Sequence, residues 1–311
     1  MNKTKVIFMG TPVFACSILQ TLIDSEFEVV LVVSQPDKKV GRKQVLTATP
    51  VKQLAIDNNI KCLQPSKIND VEDELSKYEA DLIVTCAYGQ LICDEILNRP
   101  KYGSINVHAS LLPFLRGGAP IHTAIINGHS ESGISIMRMV KKMDAGAVMR
   151  QIKVKIEEND TMSMLHDKLM DAGASIIIDS IKDIIDDKAV FVEQDHDKAT
   201  YAYNISKDDE KVDFNKHIND VYNQMRGLIK VPCSYALICD RKIKFHSVEK
   251  ILCDNKENTK LLMMMNNNLV IQLKDGYIKI NEIQMEGKAK MNFKEFVNGA
   301  GRNLLNNSFG E

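Results

Sequence analysis

Short apolar runs at 5–9, 28–34 and 81–86 recur in the first part of the chain, and helical spacing near 50–58, 69–77 and 118–127 falls between or after them. This alternation constrains the fold most. Strands that return after a helical crossover pair in parallel, so an α/β domain on a doubly wound, mostly parallel sheet is predicted. Lys5-Val-Ile-Phe-Met9 reads as a buried strand, and Gly10-Thr11-Pro12 then opens a helix. Thr11 is expected as its N-cap, with Pro12 at the first helical position. The turn lacks the GxGxxG spacing that lets a pyrophosphate rest on a helix N-terminus, which argues against a dinucleotide-dependent dehydrogenase. An amphipathic pattern over 161–186 is long enough to close the domain.

A length of 311 residues makes two domains the natural expectation. Residues 188–206 are extended and polar, as a connection is. After a helical stretch near 215–228, short alternating segments follow near 234–239, 242–248, 258–264, 268–273 and 276–285, with a helical pattern near 291–298. Strands so short and closely spaced predict a small antiparallel β-barrel, OB-like in type. The expected division is a domain over 1–188, a linker over 189–206 and a second domain over 207–311. Formal charge is −1, so the total gives no signal for nucleic acid, although 207–311 holds 17 basic against 14 acidic residues and the remainder 23 against 27. The N-terminal apolar run is too short for a signal peptide and no run is long enough to cross a bilayer, so a cytoplasmic location is expected. Seven cysteines, odd in number and never spaced CxxC, predict buried reduced thiols rather than a disulfide frame or a metal site.

Ser104-Ile-Asn-Val-His-Ala-Ser-Leu-Leu-Pro113 opens as a strand, then breaks into a Pro/Gly loop running through Arg116 to Pro120. Open α/β sheets bind ligands at the carboxyl ends of their strands. An imidazole there can move a proton, and an amide can donate to a carbonyl oxygen as charge builds on it. Gly133-Ile-Ser-Ile-Met-Arg-Met139 is a second strand, leading to Asp144-Ala-Gly146, a carboxylate on a glycine turn. A histidine after a strand is usually structural, and Asp-x-Gly is common turn chemistry. Asn106, two residues before His108 and on the same strand face, lifts the pair above that default. With Asp144 at an adjacent strand end, the three would make a small acyl-transfer site. The polar insertion at 34–50 is ordinarily a solvated loop. Its length, and Lys38, Lys39, Arg42 and Lys43 beside glycine and proline, also suit contact with phosphates.

Asn106, His108 and Asp144, with Ser110-Leu-Leu-Pro113 between them, resemble the motif set of the folate-dependent formyltransferases. The resemblance runs over nearly the whole chain and is closest to members that act on initiator methionyl-tRNA. Phe114-Leu115, Asn204 and 229–232 depart from the usual family pattern. The resemblance implies a Rossmann-like formyltransferase domain followed by an OB-like, tRNA-binding domain. It implies transfer of the formyl group of 10-formyltetrahydrofolate to the α-amino group of methionine on initiator tRNA, for translation initiation. Asn106 and His108 would stabilise the oxyanion, and Asp144 would orient the imidazole and help move the proton. Ser110, Leu111, Leu112 and Pro113, with Tyr88, Gly89, Gln90 and Leu91, would line the folate site. The insertion, Arg42 foremost, would reach the tRNA acceptor stem. Folate enters as a co-substrate, with no permanently bound cofactor, no metal and a monomer expected. The alternatives are a formyltransferase acting on a sugar-nucleotide or another small amine, a formyltetrahydrofolate hydrolase, or a catalytically silent RNA-binding protein.

Overall fold

The computed structural model describes residues 3–41, 43–230, 232–255 and 257–310. The chain divides into two compact units: Met1–Pro120, Glu131–Lys155 and His166–Tyr203 form one, and Ile121–Ser130, Ile156–Leu165 and Asn204–Glu311 the other. Its elements begin with β1 (Lys5–Gly10), α1 (Val13–Ile23), β2 (Glu28–Val33), β3 (Lys38–Val40), β4 (Val45–Thr47), α2 (Pro50–Asp57), β5 (Cys62–Leu63) and α3 (Glu72–Ser76). They continue with β6 (Leu82–Cys86), α4 (Asp94–Leu97), β7 (Ser104–His108), α5 (Pro120–Ile126), β8 (Glu131–Arg138), β9 (Val148–Lys155) and α6 (Met162–Ile185).

The first unit is built on a seven-stranded sheet ordered β5-β2-β1-β6-β7-β8-β9. Its first five strands in that order are parallel, as the alternation predicts, and β8 and β9 are antiparallel additions. Ile7 and Met9 of β1 pack on one face with Leu31, Val33, Ile83, Leu75 and Ile96. On the other face α6 comes very close to the sheet. A Cβ on its Gly173 would lie 3.0 Å from Ile18 of α1 and 3.4 Å from Val107 of β7.

Three local expectations change. Thr11 does not cap α1: the N-cap is Pro12, in extended conformation, and the helix starts at Val13. The Thr11 hydroxyl instead donates to the Tyr88 carbonyl at 3.0 Å, tying the β1–α1 turn to the loop after β6. The insertion at 34–50 is not a plain loop, because β3 and β4 pair in it as an antiparallel ribbon. Strand β9 was not visible as a strand in the sequence. Only the face toward the sheet is shielded, and charged and polar residues interrupt its pattern.

The second unit holds an antiparallel sheet that curls around its own core. Its elements are α7 (Ile218–Gly227), β10 (Tyr235–Ile238), β11 (Arg241–Leu252), β12 (Leu262–Met265), β13 (Asn268–Leu273), β14 (Gly276–Met285), β15 (Met291–Asn292) and α8 (Phe293–Asn298). The strand order is β10-β11-β14-β13-β12, with β15 on β14. Strand β11 runs past its apolar pattern to Leu252, because backbone pairing with β14 continues to Gly276 although those side chains are exposed. Phe214, Phe245 and Phe309 meet in the core with Val221 and Met225 of α7 and Phe296 of α8. The cysteines are all free, but only Cys86 and Cys233 are buried, and Cys239 and Cys253 are exposed. Burial pushes the Cys62 thiol up to about 11 and the Cys86 thiol higher, so both stay protonated at neutral pH.

Candidate active site

Strands β2 and β6 flank β1 on opposite sides, which makes the β1/β6 boundary the point where the winding of the sheet reverses. Crevices at such points open beyond the carboxyl ends of the strands. On neighbouring β7, Asn106 pairs with Thr85 near the carboxyl end of β6, and His108 lies past that end. The buried Thr85 hydroxyl donates to Asn106 Oδ1 at 2.8 Å. This engages the amide oxygen and leaves the NH2 group directed elsewhere, as a donor to a developing oxyanion would be.

His108 is buried, with Nε2 3.1 Å from the Leu115 carbonyl and Nδ1 3.6 Å from Asp144 Oδ1. A neutral imidazole has one N–H and can donate to only one of these acceptors, whereas the imidazolium donates to both. The Asp144 separation is that of a charge contact, longer than a hydrogen bond; catalytic contacts of this kind often tighten only with substrate present. Asp144 is not at a strand end. Strand β8 runs antiparallel to β7, so its carboxyl end at Arg138 lies beside Ile105 and away from His108. The stretch after it returns to present Asp144 at a turn with φ +48°, and Asp144 Oδ2 accepts from the Gly117 N–H at 2.8 Å. A Cβ at Gly117 would come within 2.6 Å of the Ala202 carbonyl, so glycine is required where this N–H faces Asp144.

Ser110-Leu-Leu-Pro113 is held from beneath by two side chains. Ser135 Oγ donates to the Ser110 carbonyl at 2.6 Å and accepts from the Leu112 N–H at 3.0 Å, and Gln151 donates to the Leu112 carbonyl at 2.9 Å. Ser110 and Leu112 are buried, so this loop offers its backbone, Leu111 and Pro113 to a ligand. Across the crevice Tyr88 turns its ring into the core, Gly89 adopts φ +89°, and Leu91 is exposed. Gln90 folds back, accepting from the Ile68 N–H at 2.7 Å. A separate cavity of about 300 Å³ lies between Leu112, Pro113, 148–151 and 192–195 and contains none of Asn106, His108 and Asp144.

Lys38 and Lys39 are exposed on β3, and Lys43 is exposed in the turn of the ribbon; Arg42 lies outside the described residues. Val40, Val45 and Leu46 are also exposed there. The base of the ribbon is anchored at Asp37, which pairs with Lys52 at 2.6 Å and accepts from Gln64 at 2.6 Å. The Lys52 and Gln64 hydrogen bonds hold the Asp37 carboxyl below the usual carboxylate range, so this anchor is present above that range and is lost as pH falls through the lowered value.

Sequence reading missed four contributors: Thr85, the Gly117 N–H, Arg116 and Gln194. Arg116 is almost fully buried and donates through Nε and Nη2 to Gln194 Oε1 at 3.2 and 2.6 Å, with Nη2 also 2.9 Å from His196 Nδ1. Gln194 Nε2 donates to the carbonyls of Asp144 and Gly146 at 2.9 and 2.7 Å. A charged residue inside a Pro/Gly loop was a usable signal for Arg116. Gln194 had none, since it lies 50 positions from the turn that it holds.

Residues 3–181 match the model of the formyl transferase family, and residues 204–301 match that of the formyl transferase C-terminal domain. A methionyl-tRNA formyltransferase of Geobacillus sp. (strain WCH70) is 44% identical over 304 residues, covering 96% of both chains. One from Malacoplasma penetrans (strain HF-2) is 43% identical over 302 residues, covering 96% of this chain and 94% of that one. Among solved structures, the N-formyltransferase of Helicobacter canadensis in complex with folinic acid and dTDP-3-aminofucose superposes with a TM-score of 0.68 at 21% identity, over 89% of this chain and 98% of that one. The likeness to that structure extends to the fold alone. With both domain models matched and relatives similar over nearly its full length, this chain belongs to the formyl transferase family.

Proposed function

We propose that the enzyme transfers the formyl group of 10-formyltetrahydrofolate to the α-amino group of methionine on initiator tRNA, for translation initiation. The observation that carries this reading is the convergence of Asn106, His108 and Asp144 beside a crevice, in a chain similar end to end to methionyl-tRNA formyltransferases. The neutral amine attacks the formyl carbon, and the carbonyl oxygen takes the negative charge. The Asn106 amide and the protonated His108 ring stabilise that oxygen. Asp144 keeps the imidazole oriented and helps carry the proton released by the amine. The bond from the formyl carbon to the folate nitrogen then breaks, the proton ends on that nitrogen, and tetrahydrofolate leaves. Folate is a co-substrate here, lodged against 110–113 and 88–91.

Residues 1–188 act as the catalytic domain, 189–206 as the linker and 207–311 as a tRNA-binding domain. Lys38, Lys39, Arg42 and Lys43 contact the acceptor stem. The enzyme works as a monomer in the cytoplasm, where initiator tRNA is charged and used. Among the described residues no helix is long and apolar enough to cross a membrane.

The deciding assay offers radiolabelled formyl donor to charged initiator tRNA, charged elongator tRNA and an amino-sugar nucleotide. Formylation of the sugar in preference to the tRNA would overturn the reading. Replacing Lys38, Lys39 and Lys43 together with alanine is expected to raise KM for tRNA about tenfold or more while folate KM stays put. Each lost phosphate contact should also make the log–log salt dependence of binding shallower by roughly one unit. An unchanged salt slope would reduce the ribbon to a solvated connection.

A further inference from the structure

We infer that Gln194, oriented by Arg116, is a positioning residue that sets the turn presenting Asp144 to His108. This rests on the acyl-transfer reading of the same site. A side-chain amide has two N–H donors and two acceptor lone pairs, and Gln194 uses all four. Both donors go to the carbonyls of Asp144 and Gly146, and the oxygen accepts twice from Arg116. The arrangement cannot be reversed. Turning the amide over would set its oxygen against two carbonyl oxygens and its NH2 against a guanidinium, which has no acceptor.

The turn needs such a hold. Asp144 occupies the left-handed region at φ +48°, which aspartate enters more readily than most side chains but less freely than glycine. Between Arg138 and Val148 the chain is outside any strand, tied by the Ala145 N–H to the Lys142 carbonyl and by the Arg138 N–H to the Ala147 carbonyl. Gln194 adds two bonds, one on either side of Ala145. It is fixed in turn by Val192, which bridges the edge strand through paired 2.9 Å bonds with Val148. One loop therefore grips Asp144 twice: the Gly117 N–H takes the carboxylate, and the preceding residue, Arg116, acts on the backbone through Gln194. Arg116 in its turn is held by the Thr200 carbonyl and the Ala202 N–H, so its side chain starts from a fixed backbone.

The test uses Gln194→Glu, which keeps two acceptors for Arg116 but has no donor for the turn. We expect single-turnover formylation to slow roughly 10- to 10²-fold, the scale of a misplaced catalytic group, with both KM values within about twofold and thermal unfolding still cooperative. A purely structural role would add its loss to any other mutation. Positioning predicts instead that Gln194→Glu costs no more than about twofold in an Asp144→Ala background, because there is no carboxylate left to place. Arg116→Met, which frees the amide to turn, should show the same split and serves if Gln194→Glu fails to fold. Unchanged turnover in these variants, or an equal loss with and without Asp144, overturns the inference. Asn106→Ala and Asp144→Asn are measured beside them. If those also leave turnover untouched, the acyl-transfer reading itself has failed; if they slow it while the Gln194 and Arg116 variants do not, only the positioning role falls.

Discussion

Asn106→Ala is expected to lower kcat by roughly 10²-fold or more, and His108→Ala by at least as much, because the first removes a preorganised donor to the developing oxyanion and the second the imidazolium charge beside it. Folate affinity should change little in either variant, since neither side chain lies in the loops assigned to the folate. Asn106 is partly buried, and its amide oxygen is held by Thr85, so truncation removes the donor and leaves one hydroxyl to find the Ile105 carbonyl, 3.2 Å away. The fold should survive. For His108→Ala the Leu115 carbonyl loses its partner, and some loosening of that loop is expected with the loss of turnover. Single-turnover formylation of charged initiator tRNA, with thermal unfolding measured on the same preparations, separates the two effects. Near wild-type turnover in either variant would remove β7 from the mechanism.

Asp144→Asn is expected to slow turnover by roughly 10²-fold or more while preserving the fold. The amide can still accept from the Gly117 N–H through its oxygen, so the turn keeps its bond. The other end then presents an NH2 group to His108 Nδ1 in place of a carboxylate, and the imidazolium loses the negative charge 3.6 Å away. Both the stabilising charge and the proton acceptor are gone. Asp144→Glu makes a useful companion, because it retains the charge but moves it by one methylene. If Asp144→Asn turned over normally, Asp144 would be a turn residue whose task ends at Gly117.

Much of this protein was legible from local pattern. The parallel strands of the first unit follow from apolar runs, since a strand buried on both faces has to be apolar throughout. The second unit follows from alternation between short turns, and α2 and α6 appear where helical spacing placed them. Asn106 and His108 share a face because residues two apart in a strand do so wherever the strand lies. The pairing of those two residues needed no knowledge of the rest of the chain.

Tertiary structure decided the remainder. Periodicity records which side of an element is buried, and it carries no information on the direction in which a neighbour runs. That β8 lies antiparallel to β7, so that Asp144 has to return along the sheet to reach His108, depends on the ordering of the whole sheet. Strand β9 sits at the sheet edge with one face open, and the charges that suit that edge erased its apolar signal. Thr11 looked like a cap because its neighbours fit one; a carbonyl 77 positions away claimed its hydroxyl. Gln194 had no local mark at all, because what it does is satisfy carbonyls and a guanidinium that only folding brings within reach. The sequence by itself determined the elements and the chemistry that they carry, since both are set by neighbours along the chain. Only the closed structure determined how that chemistry is aimed, since hydrogen-bond partners are chosen in space.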